Sequence, residues 1–144
     1  MFFYRIITSM FYWLILPIFY FRFKGRERRE RLGKTKHKFE KSIWIHAASM
    51  GEVNAVKTLI NELLNRYPHK DFVLSTMTVT GQETAAKISP KLTTIFLPFD
   101  FLQTMKRIFN RISPELIILV ETEFWPNMLY LATVSYTHLR AHET

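Results

Sequence analysis

From residue 42 onward the sequence alternates short apolar runs with helix-period segments, and this alternation restricts the fold more than any other feature. Residues 42–47 read as a strand. Residues 53–67 read as a helix presenting Val53, Val56, Ile60, Leu63, Leu64 and Tyr67 at helical spacing, until Pro68 stops it. Residues 72–76 form a second strand signal, followed by a short helix near 81–88. A third strand at 93–97 leads into a helix over 101–112, with Phe101, Met105, Ile108, Phe109 and Ile112 facing inward. Residues 116–120 are an unbroken apolar run, expected of a strand buried on both faces. A last helix is predicted from Pro126, since proline suits the first helical position. Right-handed crossovers then give an α/β domain, a parallel sheet with helices on both faces.

If the strand order is 3-2-1-4, strands one and four are neighbours at the topological switch point, where open α/β sheets bind ligands. Glu52, in the loop after strand one, and Glu121, after strand four, would then flank one crevice. Glu52 has a second reading. Ser49-Met-Gly-Glu52 is a capping box, and the same grammar recurs at Thr80-Gly-Gln-Glu83 and Asp100-Phe-Leu-Gln103. Glu121 and Glu123 could also supply an acidic first turn to the helix that follows, although an apolar run ending in Glu-Thr-Glu before an aromatic pair is less common for a mere cap. Ser75, Thr76, Thr78 and Thr80 could bind a sugar or phosphate, or simply make a strand and its turn. His46 is a lone histidine at a strand end, read as structural, and His138 and His142 have the i, i+4 spacing of metal ligands.

The N-terminal part is of another kind. Ten Phe, Tyr and Trp residues fall within residues 1–23, with only Arg5 and Arg22 charged. The uncharged stretch 6–21 makes a helix about 24 Å long, short of the ~30 Å hydrocarbon core. Pro17 is expected to kink or end it. Arg5, Thr8, Ser9 and Tyr12 form a weak polar stripe that suits a helix lying in or dipping into one leaflet, while a span, with Arg5 and Arg22 snorkelling, stays equally open. No small-residue cleavage site follows, which argues against a secretory signal peptide. Instead residues 22–41 carry ten Lys/Arg and three Glu, a cytoplasmic-side signature and a contact for anionic headgroups. Residues 42–144 balance nine basic against nine acidic groups, so the formal charge of +8 is no nucleic-acid signal. With 144 residues the chain can bury one domain core, and without cysteine it makes no disulfide or thiolate metal site. The four glycines, Gly25, Gly33, Gly51 and Gly81, are too scattered for a phosphate-binding loop.

Four segments, Trp44-Ile-His-Ala-Ala-Ser-Met-Gly-Glu52, Ser75-Thr-Met-Thr-Val-Thr-Gly81, Leu97-Pro-Phe-Asp100 and Glu121-Thr-Glu-Phe-Trp-Pro-Asn127, resemble the 3-deoxy-D-manno-octulosonic acid (Kdo) transferases of Gram-negative bacteria. The resemblance covers roughly residues 1–133. It implies the Rossmann-like N-terminal half of a glycosyltransferase B fold, two domains facing a cleft, preceded by a membrane helix. It also implies transfer of Kdo from CMP-Kdo to the lipid A precursor at the cytoplasmic face of the inner membrane, inverting the anomeric centre and needing no metal or other cofactor. By the same resemblance Glu52 would be the general base on the acceptor hydroxyl and Glu121 the group stabilising the transition state. Ser49, Gly51, Thr78, Thr80 and Trp125 would bind the acceptor or shape the site.

The family's second domain, which holds most of the CMP-Kdo site, has no counterpart here, and residues 134–144 resemble adaptor-derived sequence. The expected organisation is therefore a membrane helix at 1–23, a basic segment at 24–41, a Rossmann-like domain at 42–133 and a foreign tail at 134–144. Such an acceptor-side half would be inactive alone. Two other classes stay open: a non-catalytic membrane module holding anionic lipid through residues 22–41, and another sugar-nucleotide transferase of the same fold. The Glu121-to-Pro126 motif argues against the latter.

Overall fold

The computed structural model describes residues 2–121, 123 and 125–142. Met1, Thr122 and Phe124 of the motifs above, the end of the tail at 143–144, and the side chains of His138 and His142 lie outside the described residues. The elements run α1 (Phe2–Arg22), α2 (Gly25–Arg31), β1 (Ser42–His46), α3 (Met50–Arg66), β2 (Asp71–Thr76), α4 (Val79–Ala86), β3 (Leu92–Phe96), α5 (Leu102–Ile112), β4 (Pro114–Leu119) and α6 (Pro126–His142). They divide into two compact units, one made of residues 37–97 and 112–123, the other of residues 1–36, 98–111 and 124–144.

The first of these units holds a four-stranded sheet in the expected order, β3-β2-β1-β4, and every pairing is parallel. Alternation along the strands sorts the side chains. Ile43 and Ile45 pair with Phe72 and Leu74 on one face, where Val53, Ile60 and Leu64 of α3 and Ala85 of α4 complete a core. Each large side chain buried there stabilises the unit by about 1.5–3 kcal/mol. Trp44 and His46 point to the other face, opposite Val73 and Ser75, and β1 is buried along its whole length. The expected two-sided burial of the fourth strand is not observed. Leu116 is 50% exposed and the rest of β4 is half-buried or exposed, because β4 is paired on one side only among the described strands. Tyr67, expected inward, is exposed because it is the cap residue of α3 and has left the helical register.

Of the three capping boxes read in the sequence, only the first starts its helix. Helix α4 begins two residues before the expected box, with the Thr78 hydroxyl accepting from the Gly81 N–H at 3.0 Å. Asp100 caps a different helix from the one it precedes. Its carboxylate accepts from the N–H groups of Asn127 and Met128 at 2.9 and 3.0 Å, at the start of α6. A carboxylate brought from elsewhere in the chain serves that helix end as well as a local cap does, and local sequence does not reveal it.

In the other unit α1 continues through Pro17, so the proline does not end it. The polar stripe read at Arg5, Thr8, Ser9 and Tyr12 continues into Phe19 and Phe23 and forms a docking face. Tyr12 stacks edge-on to Phe101 at 5.2 Å and its hydroxyl accepts from Arg107. Phe19 lies flat on Phe99 at 4.0 Å, and the Arg5 guanidinium covers the Tyr130 ring at 4.2 Å. The rest of the helix is bare, with Phe2, Phe3, Met10, Trp13, Leu14 and Phe21 each at least 70% exposed.

The basic segment is less uniform than its composition implies. Seven of its residues form α2, tied by Arg26–Glu30 and Glu27–Arg31 pairs one turn apart, and Glu30 and Arg31 are buried. The helix ends in a Schellman motif, with Gly33 N–H bonded to Glu30 O and Lys34 N–H to Arg29 O, both at 2.8 Å. Gly33 is required twice over, by its φ of +77° and because a Cβ there would lie 2.3 Å from the Thr104 carbonyl oxygen.

Candidate active site

The site begins where β1 ends. Ala47 and Ala48 are buried, and their ladder to β2 continues past the strand through Ala47 N–H to Ser75 O and Met77 N–H to Ala48 O. Ser49 then leaves the sheet in an extended conformation and caps α3, accepting from the Glu52 N–H. The Glu52 carboxylate folds back over this turn. One oxygen accepts from the Ala48 N–H at 2.6 Å and the other from the Ser49 hydroxyl at 3.1 Å. This differs from an ordinary capping box, whose carboxylate bonds the cap residue's own N–H. The half-buried anion sits on the first turn of α3, where the helix dipole favours negative charge. Lone pairs remain on both oxygens for a further donor.

Next to it, on the other face of β1, a chain of polar groups runs out of the core. The Trp44 indole donates to the Ser75 hydroxyl at 2.8 Å, and the His46 Nδ1 lies 2.9 Å from the same hydroxyl. His46 Nε2 faces Glu123 at 3.2 Å. His46 is 2% exposed. Its burial holds the imidazole pKa below 6.5, against the opposing pull of the Glu123 carboxylate, the Ser75 carbonyl and the Glu52 charge. The ring is therefore neutral at pH 7. Nδ1 also lies 3.1 Å from the Ser75 carbonyl oxygen, so the ring sits between a carbonyl and a hydroxyl on one side and the Glu123 carboxylate on the other.

A pH dependence of stability follows. The unfolded chain, with its histidine near 6.5, binds more protons than the folded one in the interval below that value. His46 thus contributes stability fully above about pH 6.5, and the contribution is lost as pH falls from there through the folded-state pKa. Urea midpoints between pH 5 and 8 should decline on the acid side, and less so in His46→Gln. A midpoint flat across that range would show that His46 is not buried as a neutral ring.

The remaining predicted residues are distributed as follows. Glu121 is exposed at the end of β4, and the Glu123 N–H turns back onto its carbonyl oxygen at 2.8 Å. Thr78 and Thr80 are exposed beyond β2. Thr78 is occupied in capping, while Thr80 donates to it at 3.4 Å. Trp125 belongs to the other unit, half-buried at the start of α6, with its carbonyl accepting from Leu129 N–H. Within the sheet unit the structure thus gathers Ser49, Gly51, Glu52, Glu121, Thr78 and Thr80 at the carboxyl edge of three adjacent strands. To these it adds His46, which the sequence alone marks as structural, and Ser75 and Glu123, for which it leaves a structural and a binding role open. Their signal was available: His46 and Ser75 are a register pair, and β1 lies beside β4 in the order assumed from sequence.

The chain is similar to known proteins over most of its length. The family model for 3-deoxy-D-manno-octulosonic-acid transferase (kdotransferase) matches residues 26–138. A 3-deoxy-D-manno-octulosonic acid transferase of Haemophilus influenzae is 39% identical over 89 residues, covering 61% of this chain and 21% of that protein. A bifunctional glycosyltransferase/methyltransferase of Fusobacterium nucleatum is 38% identical over 95 residues, 64% of this chain and 15% of that protein. The transferase of Chlamydia trachomatis is 30% identical over 89 residues, 60% of this chain and 21% of its own. The chain therefore spans about a fifth of the length of such relatives. A parallel α/β unit with two acidic motifs at neighbouring strand ends, matched over most of its length, places this chain in the 3-deoxy-D-manno-octulosonic-acid transferase family.

Proposed function

We propose that this chain supplies the acceptor side of a glycosyltransferase that moves Kdo from CMP-Kdo to the lipid A precursor with inversion, Glu52 acting as general base. The observation that carries the reading is the Glu52 carboxylate, fixed by Ala48 and Ser49 at the carboxyl end of β1 beside the strand that delivers Glu121. An acceptor hydroxyl within about 2.6–3.2 Å of Glu52 would lose its proton as it attacks. Positive charge developing at the anomeric carbon would be met by Glu121, exposed at the neighbouring strand end. Thr78 and Thr80 present hydroxyls along the same edge, and the donor nucleotide would be held mainly by a second domain.

The test is a chimera in which residues 26–138 replace the corresponding segment of the Haemophilus influenzae transferase. Kdo transfer from CMP-Kdo to a lipid A precursor is expected; a folded chimera that transfers nothing would end this reading.

Gly51 gives a sharper check. A Cβ there would meet nothing nearer than the Ser49 hydroxyl at 3.9 Å, so packing within the chain does not demand glycine. If the bare backbone instead leaves room for the acceptor, Gly51→Ala should leave stability unchanged or raise it by up to about 1 kcal/mol, as alanine favours helix. Transfer by the chimera should nevertheless fall. Denaturation midpoints beside rates separate the two effects, and an alanine variant with undiminished rate would show that no ligand approaches there.

For the membrane we read α1 as lying along one leaflet at the cytoplasmic face. Its docked stripe engages Phe99, Phe101, Arg107 and Tyr130, so only the opposite face is available to lipid. The exposed cations Arg22, Lys24, Arg29, Lys34 and Lys36 follow it and suit anionic headgroups.

A further inference from the structure

We propose that His46 is a positioning residue for the reaction, holding the loop that carries Glu121 through its hydrogen bond to Glu123. The inference rests on the transferase reading above and deepens it. Four groups form a one-way chain. The indole N–H of Trp44 can only donate, and it ends on Ser75 Oγ. Nδ1 of His46 lies 2.9 Å from that hydroxyl and 3.1 Å from the Ser75 carbonyl oxygen, and we place the hydroxyl's single proton on the line to Nδ1. That leaves the ring proton on Nε2, aimed at Glu123. Trp44 and Ser75 are fully buried and His46 nearly so, while the Glu123 side chain is 37% exposed. The chain thus starts in the core and ends at the open edge. A buried series of this kind is rigid, because each member's orientation is set by the one before it.

Glu123 transmits the constraint. Its N–H bonds the Glu121 carbonyl oxygen at 2.8 Å, so fixing Glu123 helps to fix the Glu121 backbone. Glu121 is exposed, and a carboxylate that must face developing charge works best when its backbone does not wander. Structural packing alone would require an apolar or self-satisfied residue at the end of β1. It would not require a ring whose outer nitrogen reaches a carboxylate on a neighbouring loop.

The test uses two side chains that mimic different halves of the ring. Glutamine reaches the place of Nε2, and asparagine reaches that of Nδ1. In the chimera, His46→Gln should keep kcat within about threefold of the parent, while His46→Asn should lose about 10–100-fold in kcat with little change in KM, the signature of a lost transition-state interaction. Glu123→Ala should show the same loss, and the double variant His46→Asn/Glu123→Ala should be no worse than either single change. Nitrogen-15 NMR of the 144-residue chain itself should show the Nε2–H tautomer of His46. The proposal is overturned by equal rates for the glutamine and asparagine variants, by additive losses, or by the Nδ1–H tautomer. Should His46→Asn fail to fold, Glu123→Ala with full kcat would overturn it alone. A parent chimera without transfer would instead defeat the reading beneath it, a result separable from these because the tautomer is measured without turnover.

Discussion

Glu52→Gln is expected to reduce Kdo transfer by the chimera about 10²–10⁴-fold while changing its stability by no more than about 1 kcal/mol. The contrast comes from what the carboxylate does in the resting structure. Its two oxygens accept from the Ala48 N–H and the Ser49 hydroxyl, and a carboxamide oxygen can still take the first of these. The Ser49 hydroxyl continues to cap α3 through the Glu52 backbone N–H, which the substitution leaves in place. The second bond reverses, the carboxamide N–H donating to the Ser49 hydroxyl oxygen, and the anion's attraction to the helix dipole, worth roughly 0.3–1 kcal/mol, is lost. Proton abstraction is different, since a carboxamide is no base at neutral pH. Glu52→Ala should lose transfer to the same degree and some stability besides, because the turn over residues 48–52 then loses both side-chain bonds. Rates near wild type in the glutamine variant would leave Glu52 as a cap and nothing more.

What the sequence disclosed follows from the range of each interaction. Strand order was legible because four apolar runs separated by helices leave few right-handed topologies, and residues 42–47 and 72–76 matched the observed β1 and β2 within a residue. The capping boxes were misjudged where the partner was distant. Asp100 resembles a local cap for α5, yet its carboxylate serves Asn127 and Met128. Thr78 rather than Thr80 starts α4, because the chain turns into the helix as soon as β2 releases it. Helix α2 escaped notice because a run rich in arginine shows no apolar period; its order comes from i, i+4 ion pairs and the Gly33 cap. His46 was passed over for a related reason. A lone histidine gains meaning only from what faces it, and Glu123 is 77 residues away in sequence. The polar stripe on α1 was seen and correctly placed on one face, but what it meets, Phe99, Phe101 and Arg107, could not be read from helical spacing.

That docked stripe leads to the second large effect, on lipid binding. Trp13 and Leu14 are each 70% exposed on the bare side of α1, and a bilayer against that side would cover them. Replacing both by serine removes roughly 3–6 kcal/mol of apolar burial in the membrane, so partitioning to vesicles should fall about 10²–10⁴-fold. Vesicles of mixed zwitterionic and anionic lipid, sedimented with the 144-residue chain, give the measurement. If binding came from the basic segment alone, the variant would sediment like the parent and both would be released by 0.5 M salt, which shortens screening to about 4 Å. The expected result is the reverse, with parent binding weakened by salt but not abolished. The flat placement proposed above has separate support. The Arg107 guanidinium bonds the Tyr12 hydroxyl near the middle of α1, and Asp100 bonds that of Tyr4. Spanning would carry those charges into hydrocarbon or strip them from the helix, each at a cost of several kcal/mol. Lying flat keeps both pairs intact and turns Phe2, Met10, Trp13 and Phe21 toward the acyl chains.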